Sequence, residues 1–120
     1  MTKINMKTVT VEVLQSVEEI KKVVTDYPSN WTTFPTAVYR TSNKPYQVDA
    51  LRQELQTQWT ITVELYGNGS LTAIAGKVMD AFGVIGFTGT TKDANTADLK
   101  RVIVEVAAVV DNVTKYVYQK

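Results

Sequence analysis

Hydrophobic and polar positions alternate most cleanly between Trp59 and Tyr66, where Trp59, Ile61, Val63 and Leu65 are separated by Thr60, Thr62 and Glu64. A period of two predicts a strand with one buried and one wetter face. The pattern switches at Tyr66-Gly67-Asn68-Gly69-Ser70, a turn whose glycines and asparagine tolerate positive φ and whose Ser70 is placed to cap a helix. Beyond it, Leu71, Ile74, Ala75, Val78, Met79 and Phe82 recur at spacings of three and four, predicting an amphipathic helix closed by Gly83. A strand and a helix joined by so short a turn pack their apolar faces on each other. The rest of the chain completes that sheet.

Upstream, Met6, Val9, Val13, Val17, Ile20 and Val24 trace one helical face, predicting a helix from about Met6 to Asp26. Tyr27-Pro28-Ser29-Asn30 ends it, because Pro28 disfavours α geometry at Tyr27. Phe34–Thr41 reads as extended, and Thr41–Asp49, with Pro45 inside it, as a polar loop. Leu51–Gln58 reads as the projecting start of the Trp59 strand, so that Phe34–Thr41 and Leu51–Tyr66 form a hairpin with a long connection. Long polar loops on small domains tend to be binding elements. Downstream, Val84–Thr91 predicts a short strand and Lys92–Ala97 a turn. Leu99–Val110 is apolar on both faces, the mark of a central strand. The tail, Asp111–Lys120, fits a last strand or a short helix.

These elements predict an α+β fold in one domain spanning residues 1–120. Two helices pack on one face of a mostly antiparallel four- to five-stranded sheet, in the order α-β-β-α-β-β. The other sheet face is also apolar, so either helices cover both sides or another copy does.

Composition narrows the chemistry. The chain has no cysteine and no histidine, which removes disulfides, thiolate metal sites and the commonest general base. Thirteen basic and twelve acidic residues nearly cancel, so no basic surface for stable nucleic-acid binding is expected and copies are held apart only weakly. No signal-peptide pattern and no apolar run of the ~20 residues that span a bilayer occur, so synthesis in the cytosol is expected. Gly67-Asn68-Gly69-Ser70 lacks both the dinucleotide fingerprint and the Gly-Lys-Ser/Thr of a P-loop. Glu64 and Glu105 can meet across neighbouring strands, yet a cation such as Arg101 explains them as easily. Serine and threonine nucleophiles lack a histidine base. The expectation is a protein that is not an enzyme, with no catalytic, cofactor-binding or metal-binding residue.

The order of several segments carries a resemblance. Phe34-Pro35-Thr36-Ala37-Val38-Tyr39-Arg40 is a proline-led strand, followed by a polar loop and Trp59-Thr60-Ile61-Thr62-Val63-Glu64-Leu65-Tyr66-Gly67. A helix ending near Gly86-Phe87 comes next, then a polar segment with Asp93, Thr96, Asp98 and Leu99. Lys100-Arg101-Val102-Ile103-Val104-Glu105-Val106 and Val110-Asp111 complete the pattern. Across Val13 to Tyr118 this order resembles the small tail-terminator or tail-completion proteins of long-tailed phages and Gram-positive prophages. The resemblance implies a structural virion protein at the tail–head junction, made in the host bacterial cytoplasm. It implies a homo-oligomeric ring, typically a hexamer, that caps the tail tube, ends its growth and meets the head–neck complex. The implied partners are further copies, the tail-tube protein and the head–neck connector protein, with DNA only passing through the lumen and no membrane or cofactor involved. Within the Thr41–Ala50 loop and the Phe87–Ala97 segment and beside them, the candidate interface residues are Arg40, Lys44, Tyr46, Arg52 and Lys92. Alternatives are another head–tail connector or head-closure component, or a small dimeric α+β ligand-binding module with a pocket between helix and sheet. A hydrolase using Glu64 and Glu105 is a minor one.

Overall fold

In the computed structural model the described residues are 5–29, 31, 33–48, 50, 54–112 and 117–119. They form α1 (Met6–Gln15), β1 (Lys22–Val24), β2 (Thr36–Val48), β3 (Glu54–Gly67), α2 (Thr72–Val84), β4 (Thr88–Asp93), β5 (Lys100–Asp111) and β6 (Val117–Gln119). The α+β fold and its mostly antiparallel sheet match expectation. Relative to the expected order, β1 is an added strand, and in the tail Val117–Gln119 form the strand β6.

The sheet runs β1-β2-β3-β5-β4, with β6 also paired to β5. β3 and β5 are joined antiparallel from Gln56↔Asp111 to Gly67↔Lys100. The alternation read from the sequence assigns their faces. Trp59, Ile61, Val63 and Leu65 of β3 are buried in one core with Val102, Val104, Val106, Ala108 and Val110 of β5. That face is covered by both helices, through Met6 and Leu14 of α1 and Ile74, Ala75, Val78 and Phe82 of α2. β5 lies between β3 and the outer strands, as its doubly apolar sequence predicts.

Both helix ends follow local chemistry. Asn5 Oδ1 accepts from the Lys7 amide at 2.9 Å and caps α1. Ser70 does not cap α2: Leu71 holds that position and its side chain makes no cap bond. The exit from α2 is a Schellman motif around Gly86, whose φ is 91°, rather than a stop at Gly83. The Phe87 amide donates to Phe82 O at 3.0 Å and the Gly86 amide to Gly83 O at 3.0 Å. The accompanying apolar contact is Phe82 against Phe87, with ring centroids 6.3 Å apart. Glycine is required at another point for a different reason. A Cβ on Gly89 of β4 would sit 1.7 Å from Glu105 O of β5, so the two backbones pass too closely for any side chain there.

Two expectations need correction. The first helix ends at Gln15 instead of continuing to Asp26. Val17 and Ile20 are still buried, as the helical spacing requires, but they reach the core from a turn. Val23 and Val24 then pair with β2, because β-branched side chains are well suited to a strand and the outer side of β2 supplies ladder partners. The second correction concerns the polar loop. Residues 41–48 are strand, paired with β3 as far as Val48↔Glu54 with register shifts after Pro45. Positions 42–46 are exposed, so neither face carries an apolar signal, and pairing with β3 makes them strand. The hairpin gives the molecule its long axis, with principal extents of 51 × 26 × 22 Å.

β1 and β2 run parallel, in the register Lys22↔Thr36 to Val24↔Val38. A parallel pair obliges the chain to return to the start of the next strand. It does so between Val24 and Thr36, where the described residues 25–29, 31 and 33–35 form a strap that includes a cis Phe34–Pro35 bond. The strap crosses the sheet face opposite the helices.

Substituting Val104, fully buried beside Val63, by aspartate places an unpaired charge in the helix-covered core. Val104→Asp is expected to abolish cooperative folding, seen as loss of a sigmoidal melt in circular dichroism.

Candidate functional site

The second face of β3 holds a charge cluster. Alternation puts Glu64 and Tyr66 on that face, and both are buried, at 6% and 4% exposure. The strap does the covering: Tyr27 meets Tyr66 edge-on at 6.0 Å between centroids, and Trp31 lies 4.6 Å from Tyr66 and stacks on Phe34 at 6.2 Å. The face that looked too apolar for a single copy is thus partly covered by the chain's own crossover.

Glu64 is the hub. Its Oε2 accepts from the Tyr27 hydroxyl at 2.7 Å and from Arg40 Nη1 at 3.0 Å, and its Oε1 from Arg101 Nη1 at 3.4 Å. Arg40 comes from β2 and Arg101 from β5, so one carboxylate ties three strands and the strap. The arginines are held further by aromatic faces, with Arg40 5.1 Å from the Tyr27 ring centre and Arg101 5.9 Å from that of Tyr66. Arg101 also donates through Nε to Ala94 O at 2.7 Å, and its amide donates to Asn95 Oδ1 at 3.0 Å, fixing the turn after β4. Bonding to Tyr27 and then to Glu64 raises the affinity of Arg40 for its proton. Burial first of all pushes the Tyr66 phenol up, while the bond from Arg101 opposes it. Glu105, the other carboxylate singled out, is exposed, and its β3 neighbour in register is Thr62. The cluster acts as a clamp: its donors and acceptors are turned on one another.

A second polar group fixes the tip end of the hairpin to the end of β5. Asn112, buried at the end of β5, donates through Nδ2 to Glu54 O at 3.1 Å and to Thr57 Oγ1 at 2.9 Å. Its amide donates to Leu55 O at 2.8 Å. Thr57 in turn donates to the Glu54 carboxylate.

The sequence-derived interface residues are not gathered at one point. Arg40 and Lys44 share a face of β2, Tyr46 follows at the exposed end of that strand, and Lys92 sits on β4, with β3 and β5 between. Arg52 lies outside the described residues. Arg40 combines two states, bonded to Glu64 while half its side chain is exposed. Tyr46 and Val48 are among the most exposed large apolar side chains, at 56% and 46%. Sequence reasoning noted Arg101 as a partner for Glu64 but missed Tyr27 and Trp31, which are 37 and 35 positions from the residues they cover. Among the described residues no three Asp or Glu side chains converge as a metal site requires, and no helix is long and apolar enough to cross a membrane.

A groove of about 400 Å³ lies between α1 and the β1–β2 side of the sheet, lined by Val11, Val23, Val24, Thr25, Asp26 and Tyr39. A smaller hollow of about 260 Å³ lies on the arm, lined by Ser42, Asn43, Lys44, Gln58 and Thr60. No protein-family model matches the chain, and no curated protein matches it.

Removing the hub carboxylate strands two arginines. Loss of one partner from a buried pair costs about 3–5 kcal/mol, and the exposure of Arg40 reduces this, so Glu64→Ala is expected to lose roughly 2 kcal/mol in urea denaturation. Tyr66 supplies a pH signature. Its raised value means the folded state favours the neutral phenol, so its contribution is full below the ordinary tyrosine value of 10.0 and is lost as pH rises through the raised one. Melting temperature is expected to fall with alkaline pH in that window, with a shallower fall in Tyr66→Phe.

Proposed function

We propose that the protein is a structural component of a long-tailed phage virion, a tail terminator whose copies close as a ring, most simply a hexamer, on the tail tube. In this role it ends tube growth and offers its opposite surface to the head–neck connector, while the genome passes through the lumen. Chemistry and cofactors have no part in it. The reading rests on the segment order described above, from the proline-led strand at Pro35 to Val110-Asp111.

The observation that carries it furthest is the hairpin arm. β2 and β3 are 13 and 14 residues long, more than a two-layer body of this size needs. Exposed Ser42, Asn43, Lys44, Pro45 and Tyr46 line the end of β2. The Asn112 network ties the tip end of this hairpin to the end of β5 at considerable cost in buried polar groups. An arm so anchored and so exposed suits contacts with neighbouring copies or with the tube. Arg40, Lys44 and Tyr46 belong to this arm, and Lys92 to the opposite side of the sheet.

A tagged copy expressed during phage assembly tests the proposal. Label at the head-proximal end of tails in electron micrographs, with closed rings from the concentrated protein, is the expected result. Normal virions and tail lengths after deletion of the gene would overturn it. A stable dimer that binds metabolites and never forms rings would favour the ligand-binding module instead.

A further inference from the structure

We infer that successive copies join by strand addition, the outer side of β2 in one copy pairing antiparallel with the outer side of β4 in the next. This inference rests on the ring reading and specifies its joint.

Strand alternation identifies the groups involved. The Lys21 amide donates to Pro35 O, the Ala94 amide to Arg101 O and the Asn112 amide to Leu55 O, and these three bonds fix which residues of each strand face which neighbour. By that alternation Thr36, Val38, Arg40, Ser42 and Lys44 turn their backbone groups to β3. Tyr39, Thr41, Asn43 and Pro45 turn theirs outward. β1 covers the outer side only as far as Val24↔Val38. Tyr39 lies against the end of β1, so Thr41 is the first of these residues clear of it, and at Pro45 that side has no N–H. The same alternation turns Gly89, Thr91 and Asp93 of β4 outward, and among the described residues no strand pairs with that side.

Natural sheets protect long open edges, because an edge is a template for another strand. Here two open edges lie on opposite sides of one sheet, and three features make the second copy's β4 the occupant of β2's edge. The strand directions agree: β3 is antiparallel to β2, β5 to β3 and β4 to β5, so a neighbour that continues the sheet brings β4 in antiparallel to β2. The shape agrees too. The groove beside the β2 edge is walled by Val11, Val23, Val24 and Tyr39, and β4 offers it Gly89 and Thr91, small side chains on the helix-side face. All six β4 residues are exposed, so a neighbour's shoulder would supply cover that the chain's own helices do not. Because the two edges differ, the contact is head-to-tail, the kind that generates rings when the rotation closes. Register is limited by charge and by β1. Thr41 opposite Thr91 would set Arg40 against Lys92, a like-charge pair that destabilises a ladder, and Tyr39 opposite Thr91 would bring Lys92 against Val38, where Val24 already pairs, which leaves Thr41 opposite Asp93.

Proline substitution separates this joint from the fold. Thr41→Pro and Thr91→Pro each delete an outward N–H that the chain's own ladder does not use. Both variants are expected to keep the wild-type melt while self-association, measured by sedimentation velocity over a concentration series, weakens at least about tenfold, equivalent to about 1.4 kcal/mol. The cysteine-free chain also permits oxidative crosslinking of Thr41→Cys with Asp93→Cys, and of Thr41→Cys with Thr91→Cys as the disfavoured register. Multimers linked through the first pair would support the joint. Rings that form normally in both proline variants, with no crosslink, would overturn it and leave the ring reading standing. Crosslinked open filaments without closed rings would support strand addition and sink the ring. A wild-type chain that stays monomeric at every concentration and never crosslinks would overturn the joint outright.

Discussion

The pairing of β3 with β5 is the constraint on which the other parts depend. It runs without a register shift from Gln56↔Asp111 to Gly67↔Lys100, and it fixes both faces of the sheet at once. Odd positions of β3 and even positions of β5 make the floor under the two helices. The remaining positions make the floor under the strap. A slip of one residue would send Glu64 into the helix-side core and bring Val63 or Leu65 out beneath Tyr27 and Trp31. Register in this protein is therefore secured from two directions, by an apolar core on one side and by an ionic hub on the other.

The hub carries a consequence for how the molecule is used. Glu64 binds Tyr27, Arg40 and Arg101, and a carboxylate so engaged serves to place elements in relation to one another. Buried ionic groups of this kind contribute little net stability and are costly to break. Their effect is geometric. The strap, β2 and the turn after β4 are held in one arrangement, so a contact made at either side of the sheet is made by a rigid body.

Legibility in the sequence followed burial. The Trp59–Tyr66 alternation and the Leu71–Phe82 stripe were plain because each has one face fully covered. β5 was recognisable as central because Val104 and Val106 face the helices while Ile103 and Ala107 face the other side. Residues 42–46 gave no signal because nothing covers them, and a strand exposed on both faces is composed like a loop. Val17, Ile20 and Val24 misled because helical spacing and a turn followed by a short strand can bury the same side chains. Partnership between Glu64 and Tyr27 was illegible for another reason: it depends on the route of the crossover, and no local pattern records a route. Of the candidate interface residues, the sequence identified exposed cations and one tyrosine, but not that β2 and β4 set them on opposite sides.

The bend at residues 25–26 closes off β1 after three residues and carries the chain over the rim of β2 to the other face. That corner is a doorstop. In the proposed joint that corner would limit how far a neighbour's strand can extend along the rim, because β1 already holds the outer side of β2 as far as Val38. Lengthening β1 by a residue or two would move the halt and shorten the open rim, which makes the span of edge left to a neighbour a property of one corner in the backbone.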